Sequence, residues 1–194
     1  KQKDSLGGLA VGSVAEAEVQ EAARERIKAV ELGNSYSLET GDLVIAVGSP
    51  AGIVHSVKQG AVSYVAGNVQ TADGQTRVLY TDCGCETGKG TFFLNMSGEL
   101  VGWATELYGA EDRQGFTIAL PVSEYKGNLQ KLMNGIQIPY MGLKGQDVSE
   151  AMQAEGIPKG LYITEAIADS PAYLAGIQAG DILTRIQGAE ICSI

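Results

Sequence analysis

The chain has 194 residues, enough to bury a sizeable core as one large or two small domains. Its 14 basic and 23 acidic residues leave a net charge of -9 with no basic run, which argues against a nucleic-acid partner. No apolar stretch approaches the roughly 18 residues of a membrane-spanning helix.

The opening "KQKDSLGG" has neither an initiator methionine nor an apolar secretory core, so the sequence is expected to start inside a longer protein. Residues 15–30, "AEAEVQEAARERIKAV", are rich in helix formers and are expected to form a surface helix. Six short runs then follow: "DLVIAVGS", "AVSYVAG", "TRVLYTD", "GTFFLN", "ELVGWAT" and "FTIALP". Each reads as a strand bounded by Gly, Asn, Asp or Ser turn signals, and 26 glycines against 5 prolines fit that texture. The series over residues 42–121 predicts a β-barrel or sandwich rather than alternating βα units. A second helix is expected over residues 123–133, "SEYKGNLQKLM", with apolar positions at Leu129, Leu132 and Met133.

After residue 134 the pattern changes to strand, helix, strand, helix, strand, which predicts a small mixed domain over residues 135–194 after a β-rich domain over residues 1–134. Cys83 and Cys85 alternate along what reads as a strand, and a bridge between such close neighbours would be strained. Together with Cys192 they read as free thiols. A metal site would need two further ligands, and the single histidine, His55, is remote in sequence, so no metal is expected.

"TDCGCETGKGTFFLN", residues 81–95, has a strand, a glycine-flanked turn and a second strand, the frame that presents a nucleophile. No serine stands in the turn Gly88-Lys89-Gly90; the nearest hydroxyls are Thr87, Thr91 and Ser97.

Three segments carry a resemblance in consistent order. "LGNSYSLETGDLVIAVGSPAG" and "GFTIALP" resemble segments of trypsin-like proteases of the HtrA (DegP-like) family. "DSPAYLAGIQAGDILTRIQG" resembles the signature of the PDZ domain that follows in those proteins. The resemblance implies a mostly β fold: the C-terminal part of a trypsin-like β-barrel protease domain, then a truncated α+β PDZ-like domain. Against the family's "TDA.INPGNSGGPL.N" loop, Thr81, Asp82 and Gly88 match from one side and Leu94 and Asn95 from the other. The stretch between is one residue short, with Lys89 nearest the nucleophile position. The family's acid, in a "DLAVL" strand, corresponds to Gly8, and its histidine would lie upstream. His55 falls in a surface hairpin of the family.

A hydroxyl without an adjacent base is a poor nucleophile at neutral pH, so the resemblance implies a degenerate triad and a catalytically silent, peptide-binding protein. The alternatives are an active serine-type endopeptidase in extracytoplasmic protein quality control, its nucleophile displaced to Thr87, Thr91 or, in a cysteine variant, Cys85, and a thiol or metal role for Cys83 and Cys85. By the same resemblance Tyr140, Met141, Gly142 and Leu143 form the loop that receives a peptide carboxylate. Implied partners are the C-termini of peptides or unfolded proteins, with no cofactor. A homotrimer is implied, as is an extracytoplasmic, envelope-anchored location with any membrane anchor outside this chain. Trp103, which alternation places on one face with Val101 and Thr105, either plugs the family's specificity pocket or sits half-buried with its indole N–H bonded at the sheet rim.

Overall fold

A computed structural model describes residues 2–4, 7–86, 90–106, 108 and 115–191. The chain forms two compact units, residues 1–67 with 77–138 and residues 68–76 with 139–194.

The first unit opens with an antiparallel hairpin, β1 (Gln2–Asp4) and β2 (Leu9–Val11). The helix expected over residues 15–30 is reduced to a 3-10 turn at Glu16–Glu18 and a single turn of helix, α1 (Glu21–Arg24), neither with a buried residue. Composition favoured a helix, but Ile27 and Val30 remain exposed, so the segment's apolar positions are not packed against the unit. A helix with no apolar face to pack is marginal below about 12–15 residues.

The six expected strands are all present: β3 (Leu43–Gly48), β4 (Ser56–Thr71), β5 (Gly74–Thr81), β6 (Thr91–Leu94), β7 (Leu100–Ala104) and β8 (Thr117–Pro121). They close a barrel in the order β3-β4-β5-β8-β7-β6. Alternation directs Val44 and Ala46 inward, where they meet Val62, Leu79, Phe93, Val101 and Ala119, with Leu38 and Cys83 completing the core. Closure leaves no sheet edge in this unit's barrel to protect.

Pro121 then starts α2 (Val122–Met133), which buries Val122, Tyr125 and Leu132. Trp103 does not share a side with Val101. Phe93 pairs with Gly102 and Leu94 with Leu100, so Val101 is the extra residue of a bulge. Val101 joins the barrel core, while Trp103 meets Tyr125 of α2 edge-on, with ring centroids 5.1 Å apart and planes at 81°. Its indole donates to the Gly7 carbonyl in the β1–β2 turn at 2.8 Å, and the side chain is 4% exposed. The tryptophan is thus a packed element of the first unit rather than a half-buried rim residue.

The second unit holds β9 (Leu143–Asp147), α3 (Glu150–Ala154), β10 (Leu161–Ala166), α4 (Pro171–Leu174), β11 (Ile182–Leu183), β12 (Arg185–Ile186) and β13 (Ala189–Glu190). A three-stranded antiparallel sheet runs β11-β10-β9, and β12 pairs with β13 in a separate hairpin, so the single strand expected from "DILTRIQG" is broken in two. Leu143, Ile163 and Ala172 form its core, with Leu161, Ala166, Ile177 and Leu183 packed against them. Ser149 and Ser170 cap α3 and α4, each accepting from the N–H three residues on, Met152 and Tyr173. The tip of the β4–β5 hairpin, residues 68–76, belongs to this unit.

Candidate functional site

Two regions carry the residues singled out by sequence. In the first, Gly88 and Lys89, together with Thr87, lie outside the described residues; Gly90 has φ 74°. Gly8 sits exposed in the β1–β2 turn with φ 63°, where it has no side chain to orient a base. His55 is exposed, also in a turn, with φ 64°.

The segment leading to the glycine turn is pinned at several points. Asp82 Oδ1 accepts from Ala61 N–H at 2.6 Å, Cys85 N–H donates to Thr117 Oγ1 at 2.6 Å, and Glu86 N–H donates to the Pro50 carbonyl at 2.9 Å. Lys58 Nζ reaches the Gly84 carbonyl at 2.5 Å.

Cys83 and Cys85 are not on a strand, because β5 ends at Thr81. The loop buries the Cys83 side chain in the barrel core and leaves Cys85 half-buried, both as free thiols. A hydrogen bond from Cys83 pulls the Cys85 thiol down to about 7; burial opposes this, while Thr117 and Lys58 assist. The same bond, reinforced by burial, pushes Cys83 up. Among the described residues no group of three His, Cys, Asp or Glu could hold a metal. Thr91 is 2% exposed in β6, and its hydroxyl has no hydrogen-bond partner among the described residues.

The second region lies wholly within the second unit. Gly142 has φ 83°, and a Cβ there would fall 2.2 Å from Ser170 Cβ, so only glycine fits. This conformation turns three successive amides toward one point. Met141 N–H donates to Asp73 Oδ2 at 2.6 Å, Gly142 N–H to Oδ1 at 2.8 Å and to Oδ2 at 3.0 Å, and Leu143 N–H to Oδ1 at 2.9 Å. Tyr140, the fourth residue of the expected loop, is exposed and donates none of these bonds. Beside the loop lies a cavity of about 350 Å³, lined by Met141, Leu143, Leu161, Leu183, Ile186 and Ile191 among others.

Asp73 was missed by sequence reasoning. Asp73 is the second of the two turn residues between β4 and β5, and an aspartate tolerates the left-handed φ of 61° found there. What the tip touches, 68 to 70 positions along the chain, has no local signature.

No family model matches the chain. It is 34% identical over 207 residues to the serine protease Do-like HtrA of Bacillus subtilis, covering 97% of this chain and 44% of that protein. Identity to the periplasmic serine endoprotease DegP of Escherichia coli is 26%, over 87% of this chain and 37% of that protein. With the serine endoprotease DegS of Haemophilus influenzae it is 28%, over 86% and 49%. The chain therefore spans less than half the length of these relatives. The fold resembles a solved structure described as HtrA-type protease AlgW with decapeptide, at TM-score 0.51 and 21% identity over 85% of this chain and 53% of that one. It also resembles the same protease with tripeptide, at TM-score 0.52 and 25% identity over 84% and 56%. With a six-stranded barrel followed by a small α+β region, and with these similarities over most of its length, the chain is a homologue of the HtrA/DegP family of serine proteases.

Proposed function

We propose that this HtrA homologue is a catalytically silent protein that binds the C-termini of peptides or unfolded proteins. Residues 1–134 act as a trypsin-like scaffold and residues 135–194 as the PDZ-type binding part. The observation that carries the reading is the convergence of the Met141, Gly142 and Leu143 amides on a single carboxylate. A free peptide C-terminus is the same chemical group. An extended peptide would add to β9, the outer strand of its sheet, with backbone bonds giving affinity and the apolar cavity reading the terminal side chain. AlgW, the protease of the similar solved structures, is described with a decapeptide and with a tripeptide.

Silence rests on the resemblance that sets Gly8 at the acid position and Lys89 nearest the nucleophile position, where neither can supply the chemistry of a triad. Relatives are described as periplasmic, and the reading places this protein outside the cytoplasm, anchored through a segment beyond this chain and assembled as a trimer. No helix of the described residues is long and apolar enough to cross a membrane.

A second reading, a cysteine-type hydrolase using Cys85, is favoured by one observation, the thiol drawn down to about 7. Burial of Thr91 weighs against that residue as nucleophile.

The test has two arms. A labelled decapeptide with a free terminal valine should bind, measured by anisotropy, and its C-terminal amide should bind far more weakly; equal binding of the two refutes carboxylate recognition. Unfolded casein should not be cleaved above a no-protein control. Cleavage abolished by Cys85→Ala would establish the second reading.

A further inference from the structure

The carboxylate loop is already occupied. Asp73 brings to it both polar groups that the last residue of a peptide would bring. Its carboxylate takes the amides of Met141, Gly142 and Leu143, and its own backbone N–H donates to the Leu143 carbonyl at 2.6 Å. Two residues further along the same strand, the Gly145 carbonyl accepts from the Gln70 side-chain amide. Leu143 and Gly145 are alternate residues of β9, and β9 pairs with β10 alone in its sheet. Among the described residues that is its one neighbour, so their carbonyls are the acceptors that an added strand would use, because successive backbone groups of a strand point to opposite edges.

We infer that the tip of the β4–β5 hairpin is an internal ligand of the peptide-binding site, with Asp73 standing in for a C-terminal residue that an incoming peptide must displace. The inference rests on the peptide-binding reading above and adds its regulation. The stand-in is incomplete in one respect. In a peptide the terminal carboxylate and the terminal side chain are separate groups, whereas Asp73 uses its side chain as the carboxylate. Its side chain only borders the cavity, whose lining also includes Met141, Leu143, Leu161, Leu183, Ile186 and Glu190, and leaves it unfilled. A peptide ending in an apolar residue gains that burial in addition to the polar contacts, so it is the class of ligand able to win the exchange. Asp73 is also exposed, so the displacing carboxylate reaches it from solvent without an opening of the core.

An internal occupant lowers apparent affinity by the fraction of time the site is free, so its removal is read as tighter binding. Asp73→Gly is the direct test because glycine accepts the left-handed φ of 61° at that position, and Asp73→Asn keeps the side-chain shape without the charge. Binding to the full chain is measured with a labelled decapeptide ending in valine, with its C-terminal amide, and with the same peptide ending in glycine. Amide hydrogen exchange at Met141, Gly142 and Leu143 is followed in parallel.

The expected result is a gain of about 10-fold or more for the valine acid in Asp73→Gly, a smaller gain in Asp73→Asn, and little change for the amide. The valine peptide should exceed the glycine peptide in all three proteins. Exchange at the three amides should rise in Asp73→Gly and fall again when the valine acid is added. Equal affinity of the acid for parent and variant overturns the internal ligand while leaving peptide binding intact. Unchanged exchange in Asp73→Gly overturns it as well. If neither protein prefers the acid over the amide, peptide binding fails, and displacement fails with it, even where exchange at the three amides has risen.

Discussion

Two thiols separated by one residue behave in opposite ways because one donates to the other. A thiolate at Cys85 is stabilised by the Cys83 S–H, and loss of the Cys83 proton would forfeit that bond. Cys85 titrates near 7 in the folded chain against a usual value of 9.0, so its thiolate fraction grows through neutral pH. The thiolate is the reactive form, so iodoacetamide should modify Cys85 with a half-maximal rate near pH 7 in the native protein, shifting toward 9 on unfolding. Cys83, buried and raised, should stay unmodified until the protein unfolds. Peptide mapping by mass spectrometry separates the sites; a native Cys85 profile centred near 9 would contradict the hydrogen-bonded pair. The sign for stability follows: the folded value is lowered, so the contribution is present above the unfolded value and is lost as pH falls through about 7.

Among the elements, β7 and α2 are joined through one side chain. Trp103 combines burial, an edge-on contact with Tyr125 and a bond to the Gly7 carbonyl. Trp103→Ala should therefore cost about 3–5 kcal/mol in a urea titration. Trp103→Phe, which keeps a ring but strands the Gly7 carbonyl, should cost about 1–3 kcal/mol. Near-parental stability of the alanine variant would mean that the packing around Trp103 contributes little. The barrel strands were legible because β-branched and aromatic residues alternate between glycine turns, a signal local to each strand. The bulge at Val101 was not, because it depends on the register of β6 and reverses the side on which Trp103 lies. Residues 15–30 misled for a related reason, since helix-forming composition says nothing about whether a face exists to be buried. At the candidate site, Gly142 and its neighbours were singled out by resemblance, whereas the contact of Asp73 with them, 68 to 70 positions away, has no local signature.

On the scale of the whole molecule, the side of β9 without a neighbouring strand among the described residues has a meaning apart from ligand capture. A strand with one row of open amides and carbonyls is a template for any extended chain, including another copy of itself. With the hairpin tip in place, the Leu143 and Gly145 carbonyls are spoken for, and the row is interrupted where the apolar cavity opens. The net charge of -9 adds long-range repulsion between copies, but that protection weakens as salt screens it. Solubility at high ionic strength should then depend on a single turn. Asp73→Gly, incubated without peptide, should scatter more light than the parent as salt rises, and a peptide with a free apolar C-terminus should suppress the difference. Identical scattering would show that the tip does not shield the edge. Asp73 would thus serve the empty protein as a chaperone serves an exposed strand, keeping the molecule monodisperse until a partner arrives.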